Sequence, residues 1–127
     1  MPAPTIVIID DDRDTLRLFT LMFEMAGYQV IAAQSAAEGL ACLPDARAAA
    51  VLCDLRMPGM DGLDFCAAVR ADPRLRQLPI VLTSGASMGE PSLPANTIFV
   101  TKPVAQPALT ALVDAHIRVT RHTLARM

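Results

Sequence analysis

The chain has no apolar run of the roughly 18 residues that a membrane span needs, although hydrophobic residues make up 53% of it. Its start, Met1-Pro2-Ala3-Pro4-Thr5, lacks a basic region followed by an apolar stretch, which argues against a signal peptide. A surplus of positive charge is missing as well. Eleven Lys and Arg stand against 13 Asp and Glu, for a net charge of -2, so there is no basic footprint for direct nucleic-acid binding. Cysteine is scarce and odd in number: Cys42, Cys53 and Cys66, with no Cys-x-x-Cys pair. Disulfide and zinc readings are therefore weak. The thiols read as small buried hydrophobes in a reducing cytoplasm. Internal repeats and low-complexity linkers are absent too. These exclusions leave one cytoplasmic domain spanning 1–127, with its core at about 4–120 and with protein, or small anion plus metal, as partner. A chain of this size buries roughly two-thirds of its unfolded surface, enough for a core without staples.

Short apolar runs alternate with helical segments. Thr5-Ile6-Val7-Ile8-Ile9 is continuous and β-branched, as in a strand buried on both faces. From Asp12 to Met25, Leu16, Phe19, Met22 and Phe23 recur at helical spacing, and Gly27 stops the helix. Tyr28 to Ala32 is a weaker strand. Ser35, with Glu38 three residues on, caps a helix expected to end before Pro44. Further strands are expected at Ala49–Cys53, Pro79–Leu82 and Thr97–Val100. Helices are expected at Leu63–Arg70 and from about Gln106 past His116. The order is (βα)5, which implies an α/β fold, a doubly wound parallel sheet. Right-handed crossovers favour the flavodoxin-like strand order 2-1-3-4-5. Between Leu82 and Thr97 lie two glycines and two prolines without helical period, so the fourth helix is expected to be short, distorted or absent.

Ligands of open parallel sheets bind beyond the carboxyl ends of the strands. Polar residues collect there. Asp10, Asp11 and Asp12 follow the first strand, Asp54 the third, Thr83 and Ser84 the fourth, and Lys102 the fifth. In the 2-1-3-4-5 order the first and third strands are neighbours, so Asp10, Asp11 and Asp54 converge. Three carboxylates that close repel one another unless a cation joins them, and hard oxygen ligands suit Mg²⁺. Such a metal lowers the charge barrier to a phosphate donor, which Asp54 can attack to form an aspartyl phosphate. Lys102 offers a point charge and Thr83 a hydroxyl for the phosphoryl oxygens.

From end to end the chain resembles a response-regulator receiver domain of two-component signalling, in the CheY-like superfamily. Four segments carry the resemblance: Ile9-Asp10-Asp11-Asp12, the run from Cys53-Asp54 through Met57-Pro58-Gly59-Met60-Asp61-Gly62, Val81-Leu82-Thr83-Ser84, and Phe99-Val100-Thr101-Lys102-Pro103. The resemblance implies that Asp54 is the phosphoacceptor. It implies Mg²⁺, with Mn²⁺ as a substitute, held by Asp11, Asp54 and the backbone carbonyl of Arg56, with Asp10 acting mainly through water. Thr83 and Lys102 would hold the phosphoryl oxygens, and Phe99 would be the aromatic switch. Pro58 and Gly62 shape the turn, and the peptide before Pro103 is cis in the family. The implied partner is a histidine kinase or histidine phosphotransfer protein. The implied product is a phosphorylation-activated switch rather than a turnover enzyme. The shortened fourth-helix region departs from the family pattern and puts its usual dimer face in doubt, so a monomer or weak dimer is expected. Whether the receiver stands alone or belongs to a larger regulator or hybrid kinase stays open.

Other readings compete at single positions. Asp10-x-Asp12-x-Asp14 opens like an EF-hand loop, but Thr15 and Leu21 occupy that loop's Gly and Glu positions. A haloacid-dehalogenase-like phosphatase also begins with a strand and Asp-x-Asp, yet leaves the Met57–Gly62 run unexplained. Asp12 reads as a helix N-cap, Asp61 as a turn residue, and His116 and His122 as surface residues. Phe99 is either core or switch. The alternative function is a receiver-like interaction module that signals without phosphate.

Overall fold

The computed structural model describes residues 3–85, 93, 96–101 and 106–125. In chain order it contains β1 (Thr5–Ile9), α1 (Arg13–Met25), β2 (Gln29–Ala33), α2 (Ala36–Ala46), β3 (Ala50–Asp54), α3 (Gly62–Ala71), β4 (Ile80–Ser84), β5 (Thr97–Thr101) and α4 (Gln106–Ala125). All strand pairs are parallel and the sheet order is β2-β1-β3-β4-β5, as the alternation implied. Residues 86–92 and 94–95, where the irregular fourth helix was expected, lie outside the described residues. Among the described residues no helix stands between β4 and β5.

The β-branched runs form strands because both sheet faces are covered. Successive side chains point to opposite faces. Val7, Ile9, Val51, Cys53, Ile80 and Leu82 accordingly pack under α2 and α3 with Leu43, Phe65 and Val69. Ile6, Ile8, Leu52 and Val81 pack under α1 and α4 with Leu16, Phe19, Phe23, Leu109 and Val113. Residues 6–9 are at most 1% exposed, which is why the run is continuously apolar rather than alternating.

Local chemistry sets the helix ends. The Asp12 carboxylate accepts from the Asp14 N–H at 3.2 Å and the Thr15 hydroxyl at 2.7 Å, so Asp12 is the N-cap of α1. Ser35 caps α2 by accepting from the Glu38 N–H at 3.1 Å. The Glu38 carboxylate reaches back to the Gln34 N–H at 2.7 Å. Contrary to expectation, α2 continues through Pro44 to Ala46 before Arg47 turns it off at φ 50. The proline sits in the last turn, where its missing N–H leaves out one bond, and Leu43 beside it is buried at 2% exposure. Packing outweighs the lost bond.

Asn96, at φ 56, ties the amino ends of β4 and β5 to two helices. Its carbonyl accepts from the Ile80 N–H at 3.3 Å and from Arg70 at 3.0 Å. His116 Nε2 lies 3.1 Å from the same oxygen, and since a carbonyl only accepts, Nε2 carries the proton. The Asn96 side chain donates to the Gln77 carbonyl at 2.9 Å and accepts from Thr120 at 2.9 Å. His116 is thus a packed, half-buried residue and not the surface residue expected. His122 is exposed.

Candidate functional site

The parallel register delivers the acids together. Cys53 of β3 pairs with Ile9 of β1, so Asp54 and Asp10 are the next positions on adjacent strands. One carboxylate oxygen from each of Asp10, Asp11 and Asp54 falls within 4.8 Å of the others. Asp10 is buried, Asp54 half-buried and Asp11 exposed, so the cluster opens to solvent on one side. The Asp10 carboxylate also accepts from the Asp12 N–H at 2.9 Å, which holds the turn leading into α1. Asp12 is turned away to its capping role and does not join the cluster.

Asp54 pairs in register with Thr83 of β4, and the Leu55 N–H donates to the Thr83 carbonyl at 2.7 Å. The Thr83 hydroxyl is buried and has no hydrogen-bond partner among the described residues. A buried polar group is normally paired. A buried hydroxyl without a partner among the described residues, in register with Asp54, fits a site that takes an oxyanion. The all-oxygen donor set fits Mg²⁺. Phe99 of β5 lies in register with Leu82, partly buried against the core. Lys102 and Pro103, which follow β5 in sequence, lie outside the described residues.

The loop after β3 is held from below. Pro58 is exposed and Gly59 adopts φ 77. The Gly62 N–H donates to the Leu55 carbonyl at 2.8 Å. A Cβ on Gly62 would stand 2.8 Å from Leu55 Cα and 2.9 Å from the Asp54 carbonyl oxygen. Only glycine lets α3 start this close to the Asp54 backbone. Asp61, read as a turn residue, is the N-cap of α3. Its carboxylate accepts from the Asp64 N–H at 2.9 Å, while the Asp64 carboxylate accepts from the Asp61 N–H at 3.3 Å. The Asp-x-x-Asp spacing could have signalled this capping box, with Asp in both roles. Burial pushes the neighbouring Cys53 thiol well above its ordinary range, which disfavours a thiolate there.

A family model for the response regulator receiver domain matches residues 6–114. The chain belongs to this family. As a receiver domain, it is 43% identical over 84 residues to the C4-dicarboxylate transport transcriptional regulatory protein DctD of Rhizobium meliloti, covering 65% of this chain and 18% of that protein. It is 36% identical over 115 residues to the transcriptional regulatory protein GlrR of Escherichia coli, covering 86% of this chain and 25% of the relative. The receiver thus spans a quarter or less of these two relatives. A sensor protein from Polaromonas sp. JS666 superposes with TM-score 0.86 at 32% identity, over 94% of this chain and 99% of that one. Chemotaxis protein CheY4 of Vibrio cholerae shares the fold at TM-score 0.79 and 23% identity, over 89% and 98%. The receiver domain of a two-component response regulator is a signalling unit, and such domains bind Mg²⁺ in an acidic pocket like the one described. None of the helices among the described residues is long and apolar enough to cross a membrane.

Proposed function

We propose that this receiver accepts a phosphoryl group on Asp54 from a histidine kinase or histidine phosphotransfer protein, and that the modification changes its surface for a protein partner. One observation carries the reading: the buried Thr83 hydroxyl, without a partner among the described residues and in register with Asp54 of the Asp10–Asp11–Asp54 cluster. Bound Mg²⁺ would neutralise carboxylate and phosphoryl charge. Asp11, Asp54 and the Arg56 carbonyl would hold it, with Asp10 acting through water. In the transfer, an Asp54 carboxylate oxygen forms a bond to phosphorus while the P–N bond of the donor phosphohistidine breaks. The donor imidazole leaves with the bonding pair and takes a proton from water. The Thr83 hydroxyl donates to a phosphoryl oxygen, and Lys102 offsets the remaining charge. Phe99 follows Thr83 and reports the event at β5. Little covalent chemistry is asked of the protein beyond positioning and charge. The domain is a switch and not a turnover enzyme.

Access for a protein donor is supported on α1. Leu18, Leu21 and Met25 are exposed at i, i+3 and i+7, an apolar stripe on the helix that starts beside the acids. DctD and GlrR are named transcriptional regulators; the output that this domain controls is proposed only as a protein surface.

The test is incubation with Mg²⁺ and acetyl phosphate followed by intact-mass measurement. A phosphoryl adduct that disappears in Asp54→Asn is expected. No adduct, or one that survives the substitution, overturns the proposal. Partner binding that ignores Asp54→Asn would support the phosphate-independent module instead.

A further inference from the structure

The pole of the sheet opposite Asp54 carries a second cleft. It lies at the amino ends of β3 and β4, next to Ala49 and Pro79, and encloses about 400 Å³. Strand β3 is five residues long, so the cleft stands roughly 16 Å from the phosphoacceptor. Its apolar wall is assembled from separate elements: Leu43 of α2, Leu78 before β4, and Ile117 and Leu124 of α4. Leu43, Leu78 and Ile117 are buried, whereas Leu124 is 39% exposed. Its charged lining is Arg47, Arg74 and Arg121, and among the described residues no Asp or Glu lines it. Arg74 is partly neutralised by Asp72 at 2.9 Å, which leaves Arg47 and Arg121 as the main positive rim.

The last helix explains why the cleft exists. At 20 residues α4 is about 30 Å long, nearly twice the span of a five-residue strand. Its last turns therefore pass beyond the sheet edge. Ile117, Arg121 and Leu124 recur there at i, i+4 and i+7, so the overhang presents one mixed apolar and cationic stripe toward the cleft.

We propose that this cleft docks a segment of a partner protein in which large apolar side chains are flanked by carboxylates. The volume lies in the range of ligand sites, the floor is apolar, and a rim of arginines without acids complements negative charge. A chain of net charge -2 does not offer the extended basic surface that nucleic acid requires, so a local basic rim around an apolar floor selects an acidic peptide. Docking here is independent of phosphate on Asp54.

The experiment is selection of a phage-displayed random peptide library on the 127-residue chain, followed by anisotropy titration of the enriched peptides. Enriched sequences should combine Leu, Ile or Phe with Asp or Glu. Their affinity should fall roughly tenfold or more in Arg47→Glu/Arg121→Glu and in Leu124→Asp, and should not change in Asp54→Asn. All three cleft positions are exposed side chains, and far-UV circular dichroism checks that the variants fold. Arg47→Gln/Arg121→Gln serves as the milder charge variant, with the same direction expected. The proposal is overturned if nothing enriches above bare support, if the enriched peptides are basic or bind all cleft variants equally, or if a DNA duplex displaces them.

Discussion

Thr83 is 1% exposed, and its buried hydroxyl has no partner among the described residues. A buried, unpaired polar group costs roughly 1–3 kcal/mol of stability. On the proposed function, that cost is recovered when a phosphoryl oxygen accepts from the hydroxyl. Thr83→Val removes the hydroxyl and keeps the branched shape. It should raise urea-unfolding stability by about 1 kcal/mol while slowing phosphorylation of Asp54 by acetyl phosphate. A loss of stability would mean that the hydroxyl is already satisfied. Gly62 shows a different constraint. Its role in the turn was readable from the motif, but the contact with the Asp54 carbonyl that demands glycine was not, because it arises between two segments brought together by the fold.

Among the elements, β5 depends on the Asn96 junction at its amino end. Arg70 of α3 and His116 of α4 both donate to the Asn96 carbonyl. Burial holds the His116 imidazole below its ordinary value of 6.5, and the Arg70 charge adds to this while the Asn96 carbonyl opposes it. The sign follows. The unfolded chain binds the proton more readily than the folded one, so stability is full above the unfolded value and declines as pH falls below it toward the folded value. Thermal unfolding followed from about pH 7.5 to about pH 5.5 should show this decline, and His116→Gln should flatten it. An unchanged slope in the variant would remove His116 as the cause. Nothing in the sequence pattern singled out Asn96, since the three contacts of its backbone carbonyl come from residues 16 to 26 positions away. Pro44 is the complementary case. Local chemistry ended α2 early, and core contact through Leu43 carried it on.

Across the whole molecule, the central strands β1, β3 and β4 are sealed on both faces, and the thiols record it. Cys53 and Cys66 are buried, while Cys42 is half-buried rather than buried as expected. Burial raises all three, Cys66 to about 11 and Cys53 well above the ordinary range. A thiol reagent at about pH 8 should label Cys42 in the folded chain, with Cys53 and Cys66 reacting only as the core opens. Site-resolved mass spectrometry reads the order directly. Equal rates for Cys42 and Cys53 would contradict the sealed sheet.

The acids at residues 10, 11 and 54, the continuous β-branched runs and the alternation of elements were legible because each is a local pattern. Periodicity and strand-end position follow from side-chain direction alone. From them came the parallel sheet, its order and the convergence of the carboxylates. Whatever depends on distance through space was decided by tertiary structure: the burial of the Thr83 hydroxyl, the close approach behind Gly62, the Asn96 junction, and the cleft beneath the overhang of α4. Such features are set by which segments the sheet makes neighbours, and one linear sequence does not display those distances.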